Sequence, residues 1–441
     1  MWRYSRIEEL DLDAYSPTAA EVGQEGPPEA LAPLLGALDP RAGLVVARDG
    51  RLQGLEVDPA LAAGGLSVGR LADAPDGAQL LGSVAGSTDA LVDLAGAYVV
   101  DPLLVRVPAG MVVEAPLVVV HWVGDEGRAV FPRTVVRLEE GAQANVVEVV
   151  ASPDLEALAV PLAELDVAER AALGYVGLQA LGPRVWQIGY QASRVARDGR
   201  LSSFAVALGG HYARLRTDSA LVGEGAQAAL LAAYFGEGSQ MHDFRTMQDH
   251  HAPRTESELL FKGAVADHAR SVYSGLIRIH PGARGTNAFQ TNRNLVLSDG
   301  AHADSVPNLD IAENDVRCSH ASAVGPIDPE QRYYLESRGV PPGVADRLIV
   351  LGFFNDILAR CPVPALAPPV RDAVAARLGH QGMPAEVGES ALPGTTLSAA
   401  PTDRGTDGDR GPGADGGDRP GRPAPGTGTE ASEATGERSR S

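Results

Sequence analysis

Cysteine is nearly missing from this chain: Cys318 and Cys361 are the only two in 441 residues. That excludes the disulfide framework of a small secreted scaffold and fits a reducing compartment. Without a CxxC pair or an HExxH run, no zinc site of familiar spacing is encoded either. Lysine is scarcer still. Of 37 basic residues only Lys262 is lysine, and Gly263 follows it where a phosphate-binding loop needs Ser or Thr, so nucleotide hydrolysis by that route is excluded. Basic clusters are absent while the formal charge is −20, which argues against nucleic acid and anionic membrane surfaces as partners. Aromatic residues make up only 5%, too few to build an aromatic-rich core or to line a sugar-stacking cleft. Long apolar runs are lacking as well. The most apolar stretch, Leu94 to Val123, is broken by Asp101, Arg106, Pro108 and Glu114 before any run reaches the ~18 residues of a membrane span. The opening residues, Met1 to Arg6 and then Glu8, Glu9 and Asp11, carry no apolar signal-peptide core, so the expected location is the cytoplasm.

What is present is β-branched and small. From about residue 96 short runs such as Leu103 to Val107, Met111 to Val120, Thr134 to Leu138 and Asn145 to Val150 each close on small or polar turn residues. Related turns recur as Glu140-Gly141-Ala142-Gln143, Glu224-Gly225-Ala226-Gln227, His280-Pro281-Gly282-Ala283 and Ser298-Asp299-Gly300-Ala301. Between 265 and 318 they arrive about every 15 to 18 residues, a spacing that suits the rungs of a β-solenoid whose neighbours bury one continuous core. A Greek-key sandwich is the alternative, and the long Ala- and Gly-rich stretches speak against it. Residues 1–95 mix short helical patterns, Pro59 to Ala63 and Asp89 to Ala95, with turns at Gly26-Pro27-Pro28 and Ala74-Pro75-Asp76-Gly77. They read as an N-terminal α/β cap on a mainly β core of residues 96–326.

In residues 327–380 the apolar period turns helical, over Asp328 to Ser337, Val344 to Leu358 and Val370 to Leu378. Asp328-Pro329-Glu330 supplies an N-cap, an N1 proline and an acidic first turn, and Gly339 sits where a helix-ending glycine belongs. From 381 to 441 Gly, Pro, Thr, Asp and Arg dominate, and such a tail is expected to stay disordered.

Few residues carry chemistry. Gly65-Leu66-Ser67-Val68-Gly69 matches a nucleophile elbow, but no strand-turn-helix pattern surrounds it, and in a chain with 51 glycines about 0.3 such matches are expected by chance. The Asp/Gly run from Asp403 to Asp418 fits no calcium-loop spacing and reads as solvated tail. Histidine placement says more. Seven of ten, His242, His250, His251, His268, His280, His302 and His320, fall between 242 and 320, and in a solenoid residues one rung apart stand in one column. The plain reading of most is a surface or hydrogen-bonded side chain. In Cys318-Ser319-His320 a soft thiolate and an imidazole two residues apart point the same way from one strand, a half-site for iron or sulfur transfer that needs further ligands to close. A buried structural cysteine is the plain alternative.

The segments His251-Ala252-Pro253-Arg254-Thr255-Glu256-Ser257, Lys262-Gly263, Ser274-Gly275-Leu276-Ile277, Gln290-Thr291-Asn292-Arg293-Asn294-Leu295, Pro307-Asn308-Leu309-Asp310-Ile311, Cys318-Ser319-His320, Tyr333-Tyr334-Leu335-Glu336-Ser337-Arg338-Gly339 and Gly352-Phe353 follow one another in an order that resembles the SufB/SufD family of iron-sulfur cluster assembly proteins. Trp2-Arg3-Tyr4 also resembles the start of SufD chains. The resemblance implies a right-handed parallel β-helix that pairs with a SufB-like subunit. It also implies that the helical segment docks a SufC-like ATPase, at Tyr334, Arg338, Gly339 and Phe353. Within the family the Cys-Ser-His segment points to SufD, and Ala301 and Ala321 stand where SufB carries its functional Cys and Glu. By the same resemblance His320, with Cys318 beside it, faces the SufB-like subunit where a transient iron-sulfur cluster forms. Ala321-Ser322-Ala323 departs from the family's Gly then Ala-Thr at that point. The implied role is a non-catalytic scaffold that binds no nucleotide itself; no residue speaks for or against a flavin in the complex or a homodimer outside it. Two rivals are a β-helix enzyme acting on polysaccharide and a SufB-type subunit that nucleates clusters itself.

Overall fold

The computed structural model describes residues 3–17 and 28–384; Trp2, Gly26-Pro27 and the tail from residue 385 lie outside the described residues. From Leu103 to Gly325 sixteen long strands alternate between two parallel sheets. In chain order they are β1 (Leu103–Val107), β2 (Leu117–Trp122), β3 (Arg133–Leu138), β4 (Gln143–Ala151), β5 (Leu162–Val167), β6 (Ala172–Ala180), β7 (Trp186–Val195), β8 (Arg200–Ala207), β9 (Tyr212–Leu221), β10 (Gln227–Gly236), β11 (Met241–His250), β12 (Glu256–Val265), β13 (Arg270–Ile279), β14 (Thr286–Val296), β15 (His302–Ile311) and β16 (Val316–Gly325). The odd strands stack edge to edge as one sheet and the even strands as the other, giving a parallel β-solenoid of eight coils.

Tyr212, Met241 and Arg270 stand side by side in the register, so one coil takes about 30 residues and holds two strands. The turn spacing of 15 to 18 residues is therefore half a coil and not a whole rung. Each coil turns a corner twice. At one corner a residue with left-handed φ recurs coil after coil: Gly141 (67°), Arg170 (57°), Asp198 (53°), Gly225 (72°), Arg254 (55°) and Gly285 (71°). Their amides form a ladder from coil to coil, as in Arg170 N to Arg197 O at 2.9 Å and Asp198 N to Glu224 O at 2.9 Å. That stacked corner is what repeats in the sequence as small or polar turn residues.

Inside the coils like residues stack in columns, for instance Val105, Val136 and Leu165, all fully buried. The run Met111 to Val120 is extended only from Leu117; Pro116 precedes the strand and Val112 makes a lone bridge to Gln143. Ahead of the first coil, a hairpin of Gly43–Arg48 and Arg51–Val57, turned at Asp49-Gly50 with φ of 48° and 80°, adds two strands to the even sheet beside β2. Ser67–Arg70 pairs antiparallel with β1 and closes the odd sheet.

Three helices follow the last strand: α1 (Pro329–Glu336), α2 (Pro342–Leu358) and α3 (Ala367–His380). The Asp328 side chain caps α1 through the Glu330 amide at 2.8 Å. Val350, Phe354, Ile357 and Leu358 of α2 and Val370, Val374 and Leu378 of α3 share a core with Val147, Val149, Leu231 and Phe235 of the even sheet. The helices thus cover one sheet's outer face, which is why its middle strands are apolar on both sides. Each such side chain taken fully from water contributes about 1.5–3 kcal/mol.

Candidate functional site

β15 and β16 end the two sheets, and among the described residues no further coil covers them. On β16, Cys318 lies beside Ala288 and His320 beside Gln290. Both neighbours are buried, so Cys318 and His320 share the inward face of the end coil, as their two-residue spacing predicts. Cys318 is half-buried against Ile277, Ile279, Ala283 and Ala288. That burial pushes its thiol pKa above the ordinary value, so a metal or a base must draw off the proton before sulfur can act as a ligand or nucleophile. His320, two residues on, is exposed. Cys361 is a different case: it is buried beneath the helices, its thiol donates to the Val363 carbonyl, and burial pushes its pKa up to about 11. It packs as a structural cysteine.

The interior behind His320 is polar. Asn292 donates to Tyr234 Oη at 3.1 Å, Tyr234 Oη lies 2.5 Å from Asn294 Oδ1, and Asn294 donates back to Asn292 at 2.8 Å. Gln290, in line with them and 1% exposed, has neither amide atom in a hydrogen bond. Glycine at 275 makes room for it, since a Cβ there would stand 2.5 Å from Gln290 Nε2 and 2.2 Å from Tyr273 Oη. Sequence reasoning gave Gln290 no role. The signal available was the polar residue at every second place, 290, 292 and 294, of a strand whose inward face should be apolar.

Other sequence candidates separate. His242 and His250 are buried and hydrogen-bonded, His250 to Thr255 and Ser257 at 2.8 Å each, and burial pushes both pKa values down to about 4. They stay neutral, which is the plain reading of most histidines here. Ser67 opens a strand, not a strand-to-helix turn, so the nucleophile elbow is not built. In the helical segment Tyr334 is exposed with the Arg338 guanidinium 4.6 Å above its ring, and Gly339 ends the turn with φ of 83°. Phe353 is not part of that knuckle. It sits on α2 with its ring 4.8 Å from Lys262 Nζ, facing β12.

A two-sheet parallel coil that ends on an open Cys-Ser-His strand places the chain in the class of parallel β-solenoid proteins. Residues 121–353 match the family model described as SUF system FeS cluster assembly, SufBD core domain. The chain belongs to the SufB/SufD family. An iron-sulfur cluster assembly SufBD family protein of Mycobacterium tuberculosis is 34% identical over 332 residues, covering 74% of this chain and 77% of its own. The iron-sulfur cluster assembly protein SufD of Bacillus subtilis is 31% identical over 279 residues, 62% of this chain and 63% of its own. SufD of Escherichia coli is 31% identical over 247 residues, 55% and 58% of the two chains. Among the described residues no helix is long and apolar enough to cross a membrane.

Proposed function

We propose that this chain is a SufD-like, non-catalytic scaffold subunit that works in the cytoplasm with a SufB-like subunit and a SufC-like ATPase. The observation that carries the reading is the open end coil. Positions that point inward and are buried in earlier coils are exposed here: Leu309 at 38%, Ile311 at 42% and Val324 at 43%, together with His320. A free strand edge beside exposed apolar side chains calls for a cover. A partner solenoid that continued the two sheets would bury them, enclose Cys318 and His320, and add the ligands that a two-residue half-site lacks. The iron-sulfur cluster is the cargo of that interface. His320 serves there as a neutral imidazole ligand or proton carrier, with Cys318 beside it. The ATPase docks on the knuckle of Tyr334, Arg338 and Gly339, and its ATP-driven closure strains the end coil through α2, which packs on β10 and β12.

The test is co-expression with SufB-like and SufC-like subunits, wild type and His320→Ala, followed by iron and sulfide analysis of the purified complex. A stable complex with less cluster in the variant is expected. Unchanged cluster content removes the ligand role of His320, and failure to form any complex removes the scaffold reading.

A further inference from the structure

Away from the end coil, Asp249, His251 and His280 form a cluster on the outer side of the odd-numbered sheet. Asp249 and His251 are two residues apart at the end of β11 and lean the same way. His280 takes the corresponding place one coil on: His250 stands beside Ile279 in the register, and the His280 amide donates to the His250 carbonyl at 3.0 Å. The two imidazoles stack with centroids 4.2 Å apart and 17° between their planes. This is the column that adjacent coils make. Nε2 of His251 lies 2.9 Å from Asp249 Oδ2 and Nε2 of His280 lies 2.9 Å from Asp249 Oδ1. One donor atom from each of the three falls within 4.8 Å of the others.

The cluster is held and yet open. The Asp249 side chain is nearly buried, and His250 between the ligating positions is fixed by Thr255 and Ser257. The rings of His251 and His280 keep an accessible face, at 40% and 36% exposure. Arg278, the register neighbour of Asp249, is turned to Asp310 at 3.1 Å, so the Asp249 carboxylate is left to the histidines. With the proton on Nδ1, both imidazoles present an Nε2 lone pair beside that carboxylate. Two nitrogens and one oxygen with open positions suit a borderline divalent ion such as Fe2+, Co2+ or Zn2+. Mg2+ and Ca2+ prefer all-oxygen shells, and Cu+ prefers sulfur. We propose that Asp249, His251 and His280 bind one divalent transition-metal ion. The site is separate from the end coil's pair, because Cys318 packs on the inward residues Ile277 and Ile279 of β13. It goes beyond the scaffold reading and does not depend on any partner.

The test is titration of the metal-free full chain with Co2+, followed by calorimetry and visible absorption. One equivalent is expected, with nitrogen and oxygen ligand bands and no thiolate charge-transfer band. The double variant His251→Gln/His280→Gln should bind at least about 100-fold more weakly, since loss of even an outer partner of a ligand costs about 10- to 100-fold. Asp249→Asn should also weaken binding, whereas Cys318→Ser/His320→Ala should bind as wild type does. Melting curves with and without Zn2+ give a second readout, in which Zn2+ raises the midpoint of wild type and not of His280→Gln. No binding by wild type, undiminished binding by the double histidine variant, or loss confined to Cys318→Ser/His320→Ala would each overturn the assignment.

Discussion

Replacing Lys262 by methionine tests how the helices are held to the coils. The side chain leaves β12 only 6% exposed. Its ammonium donates to the Phe353 carbonyl at 3.1 Å and to the Asp356 carboxylate, and it lies 4.8 Å from the centroid of the Phe353 ring. A charge-assisted hydrogen bond contributes about 1.5–3 kcal/mol and the ring contact about 0.5–2 kcal/mol. Asp356 is 66% exposed, so its share is screened by solvent and its carboxylate returns to water in the variant. Desolvation of the ammonium opposes all three contacts, and methionine keeps the apolar stem in place. The net loss works out at about 1–3 kcal/mol, and it is local because α2 docks on the coils from outside. Amide hydrogen exchange followed by mass spectrometry should therefore show α2 exchanging about 5- to 150-fold faster, with β1 to β8 unchanged. Equal loss of protection in the early coils, or none in α2, would refute the reasoning.

Acid should act through His242 and His250, whose pKa values are pushed from 6.5 down to about 4 by burial. The unfolded chain takes up their protons first, so their contribution is complete above pH 6.5 and drains away as pH falls toward 4, on the order of 3 kcal/mol each. His250→Gln should flatten the fall in melting temperature over that window; an unchanged slope would count against burial as the cause. Glu164 accepts from the amides of Gly82, Val84 and Ala85 at 2.9–3.0 Å and from the buried Arg133 guanidinium. Glu164→Ala leaves that arginine uncompensated, at a cost of about 3–5 kcal/mol, and should expose the 82–89 segment to limited proteolysis. A segment as resistant as in wild type would mean that the carboxylate is not its anchor.

The solenoid is legible in the sequence because short β-branched runs and recurring turns are local signals. Its coil length is not, because two different corners look alike: Glu140-Gly141 and Glu224-Gly225 lead from the odd to the even sheet, whereas Asp299-Gly300 leads back. Counting all of them as one series halves the repeat. The helices are read from caps and period, and Asp328 caps the Glu330 amide as those signals require. Phe353 shows the limit of that reading, since only packing decides that it meets Lys262 from β12. Cys318 and His320 are readable as a pair because period two is local. Gln290 and the meeting of Asp249 with His280 are not, because both depend on which residues the register sets one coil apart.

Stacking coil on coil also makes the molecule a ruler. From β1 to β15 there are seven strand spacings, about 34 Å at ~4.8 Å each. Excising one coil, such as residues 172–199, brings the hairpin and the end coil one spacing closer and leaves the separation of α2 from His320 as it was, because α2 rests on β10 and β12. An extra coil inserted after β12 does the reverse. The number of coils beyond β12 therefore sets the reach between the docked helices and the end of the solenoid, and that reach changes only in whole steps.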